Sequence, residues 1–133
     1  MAKRSDYQVL FSPVSNLTPL EGFIPDRVAW LTEEILRAGI WTTPIVIDNR
    51  HGLIMDGHHR HQVALGLNLK RIPVIAWSYD EVVVFSLRDS EDVSVHQILK
   101  NFESGILYPN KTAKHEFPFS IESNLKVSLD ELR

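Results

Sequence analysis

Leu53-Ile54-Met55-Asp56-Gly57-His58-His59-Arg60 is the stretch whose reading decides the fold. Three apolar residues run into an acid and a glycine. Two histidines and an arginine follow, and Val63, Ala64 and Leu67 then recur at helical spacing. The pattern predicts a short buried strand, a tight turn at Gly57 and a helix beginning near His58. The first amides of a helix lack internal partners and, together with the helix dipole, favour an anion. Arg60 adds a planar, permanently charged fork suited to phosphate or carboxylate. Asp56, at the carboxyl end of the strand, is placed to hold a cation or to receive a proton. Phosphate handling is thus one reading. The plainer one is that Asp-Gly is a common turn and His-His-Arg a solvated first turn.

Working outward, 133 residues are enough for one domain with a real core and too few for two ordinary ones. A net charge of −3 provides no global basic field, so nonspecific nucleic-acid binding is not suggested. The chain has no cysteine, which excludes disulfides, thiolate nucleophiles and cysteine-ligated zinc. Met1-Ala2-Lys3-Arg4 is not followed by an apolar segment of the signal-peptide kind, and no apolar run is long enough to span a bilayer. The expectation by default is a cytoplasmic protein that does not engage membranes. Nothing in the sequence speaks to oligomeric state.

Residues 7–11 read as a first strand and residues 12–19 as a loop. Pro25 suits the first position of a helix whose stripe is Val28, Leu31 and Ile35, and Gly39 ends it. Residues 45–47 form a buried strand, residues 49–52 a turn and residues 53–55 the returning strand. The central helix spans about 58–67. Residues 72–77 make another strand, whose Pro73 suggests an end or an edge. Residues 82–87 are a further apolar run. Asp92 or Ser94 caps a helix carrying Val95, Ile98, Leu99 and Phe102, which Gly105 ends. Leu125, Val127 and Leu129 suggest a late strand.

Several residues carry chemistry if the fold assembles them. Glu21 lies in a loop between apolar neighbours; it reads as a surface carboxylate or cap partner, or as a general base if a proton to be removed comes within reach. His58 and His61 share a helix face and with Asp56 could ligate a metal, but a closed zinc site wants a fourth ligand. His61 is expected to face solvent. Lys111, Thr112, Lys114 and His115 form a cationic cluster that reads as a surface loop, or as a closure over an anion. Trp41, an isolated aromatic, reads as core.

At this point the motifs resemble a known family. Asp56-Gly57-His58-His59-Arg60 after an apolar strand is similar to the core motif of the ParB/sulfiredoxin-like superfamily, in the version found in its free serine kinases. Those enzymes phosphorylate L-serine itself from ADP or ATP to give O-phosphoserine. Leu17-x-Pro19-x-Glu21 with Arg27, Gly39-x-Trp41-x-x-Pro44-Ile45, the segment 67–73, and Gly105 through Pro109-x-Lys111-Thr112-x-Lys114-His115 resemble further family segments in the right order. The likeness implies a single mixed α/β (α+β) domain over 1–133, with 105–133 as a substrate loop and tail. It implies Glu21 as the base for the serine hydroxyl and Asp56 as a second essential acid near Mg²⁺, which is held mainly through the phosphates. It implies Gly57, His58, His59 and Arg60 as a nucleotide phosphate cradle. Trp41, Lys111, Thr112, Lys114 and His115 fall at substrate positions. Lys114 stands where an arginine is usual and keeps the charge without the fork; Asn110 stands where a second proline is usual.

Other classes compete. A ParB-type DNA-binding protein has a more arginine-rich motif and a helix-turn-helix domain for which there is no room here. Sulfiredoxin needs a cysteine where this chain has His58. The remaining rival is a catalytically silent nucleotide- or effector-binding regulatory domain, against which the retained Glu21 and Asp56 argue.

Overall fold

The computed structural model describes residues 7–133. The first strand, β1, is Leu10–Pro13 and runs into a short 3-10 turn at Val14–Asn16. Helix α1 is Pro25–Ala38, with proline in its first turn and Gly39 in the left-handed conformation closing it. Strand β2 is Ile40–Trp41, β3 is Ile45–Asp48 and β4 is Ile54–Asp56. Helix α2 is His58–Gly66, β5 is Arg71–Trp77 and β6 is Val83–Ser86. Helix α3 is Val95–Ser104; Ser94, not Asp92, caps it, its hydroxyl accepting from the Gln97 amide at 3.0 Å. Strands β7 (Ala113–Glu116) and β8 (Val127–Ser128) and helix α4 (Leu129–Leu132) complete the chain.

The main sheet has the order β1-β5-β3-β4. β3 and β5 are parallel, with β4 and α2 between them in sequence, while the β1 and β4 pairings are antiparallel. This is the mixed α+β arrangement expected. Two corrections concern β1 and β5. The first strand lies at residues 10–13, not 7–11, because its register against β5 runs from Leu10↔Val74 to Pro13↔Arg71. Pro73 sits in an interior strand, not at an edge. The reason lies in the register. The Val14 amide donates to the Lys70 carbonyl at 3.0 Å, so alternate pairs along that ladder exchange hydrogen bonds, and Phe11↔Pro73 falls on a pair that does not. On the other side, pairing with β3 begins only at Val74. Pro73 therefore forfeits no ladder bond.

Strand alternation sorts the core onto two faces. Ile45, Ile47, Ile72 and Val74 join Val63 and Ala64 of α2, Ile35 of α1 and Leu129 and Leu132 of α4. Val46, Met55 and Ile75 pack against Phe119 on the opposite face. A third cluster, Leu20, Leu53, Ile98 and Tyr108, ties α3 and the segment after it to the residues that precede α1. Ile98 is fully buried there, and burial of such a side chain stabilises by roughly 1.5–3 kcal/mol. This cluster brings chain positions nearly ninety residues apart into contact, and the candidate site lies beside it.

Candidate functional site

Asp56 ends β4, Gly57 turns the chain, and α2 begins at His58. Gly57 has φ 110° and offers no side-chain cap, so the amides of His58, His59 and Arg60 are left to whatever lies before the helix. They open on a cavity of about 360 Å³, within the range of small-ligand sites. Its walls are Glu21, Arg27, Trp30, Leu31, Asp56, Gly57, His58, His59, Arg60, Asn110 and Lys111. Three cationic side chains, Arg27, Arg60 and Lys111, face two carboxylates there. The chain as a whole is acidic, but this cavity is locally positive and suits an anion.

Asp56 is exposed to the cavity. The surrounding protein raises its pKa above the usual carboxylate value, an effect opposed by Lys114, by Arg60 and by the Gly57 amide. Arg60 is itself half-buried within electrostatic reach of Asp56.

The two histidines have local tasks that their sequence position did not reveal. His58 Nε2 accepts the Leu20 amide at 3.0 Å, and His59 Nε2 accepts the Ile24 amide at 3.1 Å. An Nε2 that accepts is unprotonated, so each ring, when neutral, carries its proton on Nδ1. Burial, with smaller contributions from His115, His61 and His59, pushes the His58 ring down to about 3. The pair thus fastens the segment 20–24 to the start of α2. A depressed histidine pKa favours folding fully above the ordinary value of about 6.5, and that contribution is lost as pH falls toward 3. Urea midpoints should therefore drop across that window. His58→Gln should flatten the drop only in part, because His115 is also depressed, to about 4. An unchanged slope in that variant refutes the assignment.

Glu21 is 8% exposed, and its carboxylate accepts three successive backbone amides. Lys111 donates to Oε1 at 3.0 Å; Thr112 and Ala113 donate to Oε2 at 3.1 and 2.7 Å. The backbone is fastened at the same place. Gly22 donates to the Tyr108 carbonyl and Tyr108 to the Leu20 carbonyl, both at 2.9 Å. The loop after α3 therefore lies against the Gly57 turn, not free on the surface, and brings Asn110 and Lys111 into the cavity wall. Lys114 is exposed and within electrostatic reach of Asp56.

Three of the expected substrate contacts are turned elsewhere. The Thr112 side chain is fully buried, its hydroxyl donating to the Pro109 carbonyl at 2.6 Å. His115 alternates with Lys114 across β7 and points inward, with Nε2 at 3.0 Å from the Tyr79 hydroxyl. Trp41 is 0% exposed in the core and donates to the Thr43 carbonyl at 2.7 Å, as its own residue context suggested and against the substrate position implied by resemblance. His61, expected at the surface, is buried. Trp30 was missed: it is 63% exposed on α1 beside the cavity. The available signal was a large aromatic off the apolar stripe of its helix, three residues from Arg27.

Strand, glycine turn, amide-rich helix start and a folded-back loop together make a fold that solved free serine kinase structures share. A free serine kinase in complex with AMP superposes with a TM-score of 0.83 at 17% identity, covering 98% of this chain and 95% of the other. The C-terminally truncated SbnI of Staphylococcus aureus gives 0.82 at 14% identity, covering 94% and 89%. In sequence, the chain is 33% identical over 106 residues to a ParB-like protein of Sulfolobus acidocaldarius, spanning 77% of this chain and 53% of that one. It is 34% identical over 70 residues to an ATP-dependent L-serine kinase of Staphylothermus marinus, spanning 50% of this chain and 28% of the relative. The chain thus covers about half the length, or less, of these curated relatives. No protein-family model matches it. Among the described residues no helix is long and apolar enough to cross a membrane.

Proposed function

We propose that this chain is a free amino-acid kinase that transfers a phosphoryl group from ATP or ADP to the hydroxyl of L-serine, giving O-phosphoserine. The observation that carries the proposal is one cavity shared by the α2 amides, Arg60, Asp56, Glu21 and Lys111. Phosphoryl transfer asks a protein mainly for positioning and charge neutralisation, and this wall supplies both. The α2 amides and Arg60 hold the nucleotide phosphates. Glu21 Oε1 accepts one amide where Oε2 accepts two, so it retains a lone pair for the hydroxyl proton. Lys111, in the cavity wall, and Lys114, within electrostatic reach of Asp56, are cations that could hold the amino-acid carboxylate or the new phosphate. In this reading residues 1–133 act as one unit with 105–133 as substrate loop and tail, and the reaction suits the cytoplasm.

Mg²⁺ fits the donor set. No group of three or more His, Asp or Glu among the described residues could hold a metal. Mg²⁺ is commonly bound through one or two carboxylates, substrate phosphates and water. Asp56 is the carboxylate that would hold it, and the ion would neutralise phosphate charge.

The names of two relatives, ATP-dependent L-serine kinase and free serine kinase, agree with the proposal. The test is direct. Purified protein with Mg²⁺ and ATP or ADP is offered serine, threonine and homoserine, and phosphorylated amino acid is measured. O-phosphoserine should form fastest. Arg60→Ala should weaken nucleotide binding by roughly 1.5–3 kcal/mol, the scale of a charge-assisted hydrogen bond. Nucleotide binding without any phosphorylated product would point instead to a silent regulatory domain.

A further inference from the structure

The Glu21 carboxylate does more than line the cavity. Three consecutive amides converge on it from a loop whose Lys111 has φ 57°, in the left-handed region. Successive amides turned inward in this way form an anion-binding nest, and this one is filled by the protein's own acid. The Thr112 hydroxyl, bonded to the Pro109 carbonyl, closes the same turn from within. Nothing else from the 20–24 side reaches these three amides. The carboxylate is itself fixed, because His58 accepts the Leu20 amide and the Tyr108 bridge holds Leu20 and Gly22 on either side of it.

We propose that the Glu21 carboxylate is the latch that holds the loop 109–113 closed against the cavity, and that a proton on this carboxylate releases it. A neutral carboxyl is a weaker acceptor and turns one oxygen into a donor, which opposes an N–H where three converge. The consequence rests on the function proposed above. When the hydroxyl O–H bond breaks and Oε1–H forms, the electron pair stays on the serine oxygen, which bonds to the donor's terminal phosphorus as the bond from that phosphorus to its bridging oxygen breaks and the shortened nucleotide leaves with those electrons. The proton that Glu21 has gained then loosens the loop carrying Lys111. Base and latch are one group, so transfer and opening of the product side occur in order. The other charged groups facing the cavity around Glu21 are Arg27, Asp56, Arg60 and Lys111, with His58 and His59.

Glu21 is in this sense a positioning residue, and the latch can be read without substrate. Hydrogen exchange is measured on the full chain and on Glu21→Gln, which keeps the size but loses the charge and one acceptor. Amides 111–113 should exchange about tenfold faster in the variant or more, while Ile45 and Ile75 in the sheet keep their protection. Glu21→Asp keeps the charge one methylene short and should accelerate the same three amides less. In the kinase assay Glu21→Asp should raise KM for the amino acid with nucleotide affinity within about twofold, the pattern of a misplaced substrate loop. Wild-type exchange at 111–113 in a folded Glu21→Gln overturns the latch. If Glu21→Gln also loses sheet protection, wild-type exchange at 111–113 in a folded Glu21→Asp overturns it instead. An inactive wild-type protein would sink the kinase reading and leave the exchange result to decide the latch.

Discussion

Asp56→Asn should cut phosphoryl transfer about a hundredfold to a thousandfold while leaving the protein at least as stable as before. The substitution keeps the shape and removes the charge. Asp56 is the one carboxylate of the cavity not occupied by a set of amides, and it lies within electrostatic reach of both Arg60 and Lys114. Without it the carboxylate that would hold Mg²⁺ is gone. Loss of one preorganised charge at a reacting centre typically costs on the order of a hundredfold to a thousandfold in turnover. The stability effect has the opposite sign. Desolvation by the surrounding cavity wall, although the carboxylate still meets the cavity, raises the Asp56 pKa above the ordinary carboxylate value, so the unfolded chain releases this proton more readily than the folded one. The group therefore opposes folding once pH rises past the ordinary value of about 3.9. Asparagine removes that opposition, and the urea midpoint at neutral pH should hold or increase. A variant with wild-type turnover, or one with lowered stability and intact activity, would contradict this account.

Gly57→Ala should damage both stability and nucleotide binding. The backbone at Gly57 has φ 110°, where L side chains are strained. A Cβ there would also stand 3.0 Å from Ile45 Cγ1 and 3.2 Å from Ile45 Cγ2. Ile45 is fully buried in the central strand, with little room to withdraw. Strain and overpacking each cost about 1–3 kcal/mol, so a loss of roughly 2–6 kcal/mol is expected. If the chain relieves the strain by moving the turn, the α2 amides move with it, and calorimetry with ADP should then register weaker binding than in the unsubstituted protein. A normal urea midpoint together with unchanged ADP affinity would show that the turn tolerates a side chain and that Gly57 does not set the cradle.

Much of the fold was legible because its signals are short-range. Continuous apolar runs marked β3 and β5, and Pro25, Gly39, Ser94 and Gly105 marked the helix ends within a residue or so. Asp56-Gly57-His58 marked the strand-turn-helix unit at the centre of the cavity. Each of these rests on contacts within a few positions along the chain, which periodicity and capping chemistry express directly. Family resemblance extended the reading to Glu21 and to the loop after α3.

What each side chain does was decided only by tertiary structure. The sequence could not show that His58 and His59 accept amides from the segment 20–24, more than thirty residues earlier. Nor could it show that Glu21 is held by the amides of residues 111–113. The two tryptophans show the same limit: Trp41 is in the core and Trp30 beside the cavity. Likewise Pro73 fits an interior strand because the ladder passes it on a pair without hydrogen bonds. A backbone amide has the same chemistry in every residue but proline, so the amino-acid order carries no mark of which distant side chain will accept it. That choice is made when the Leu20, Leu53, Ile98 and Tyr108 cluster packs and brings the segments together.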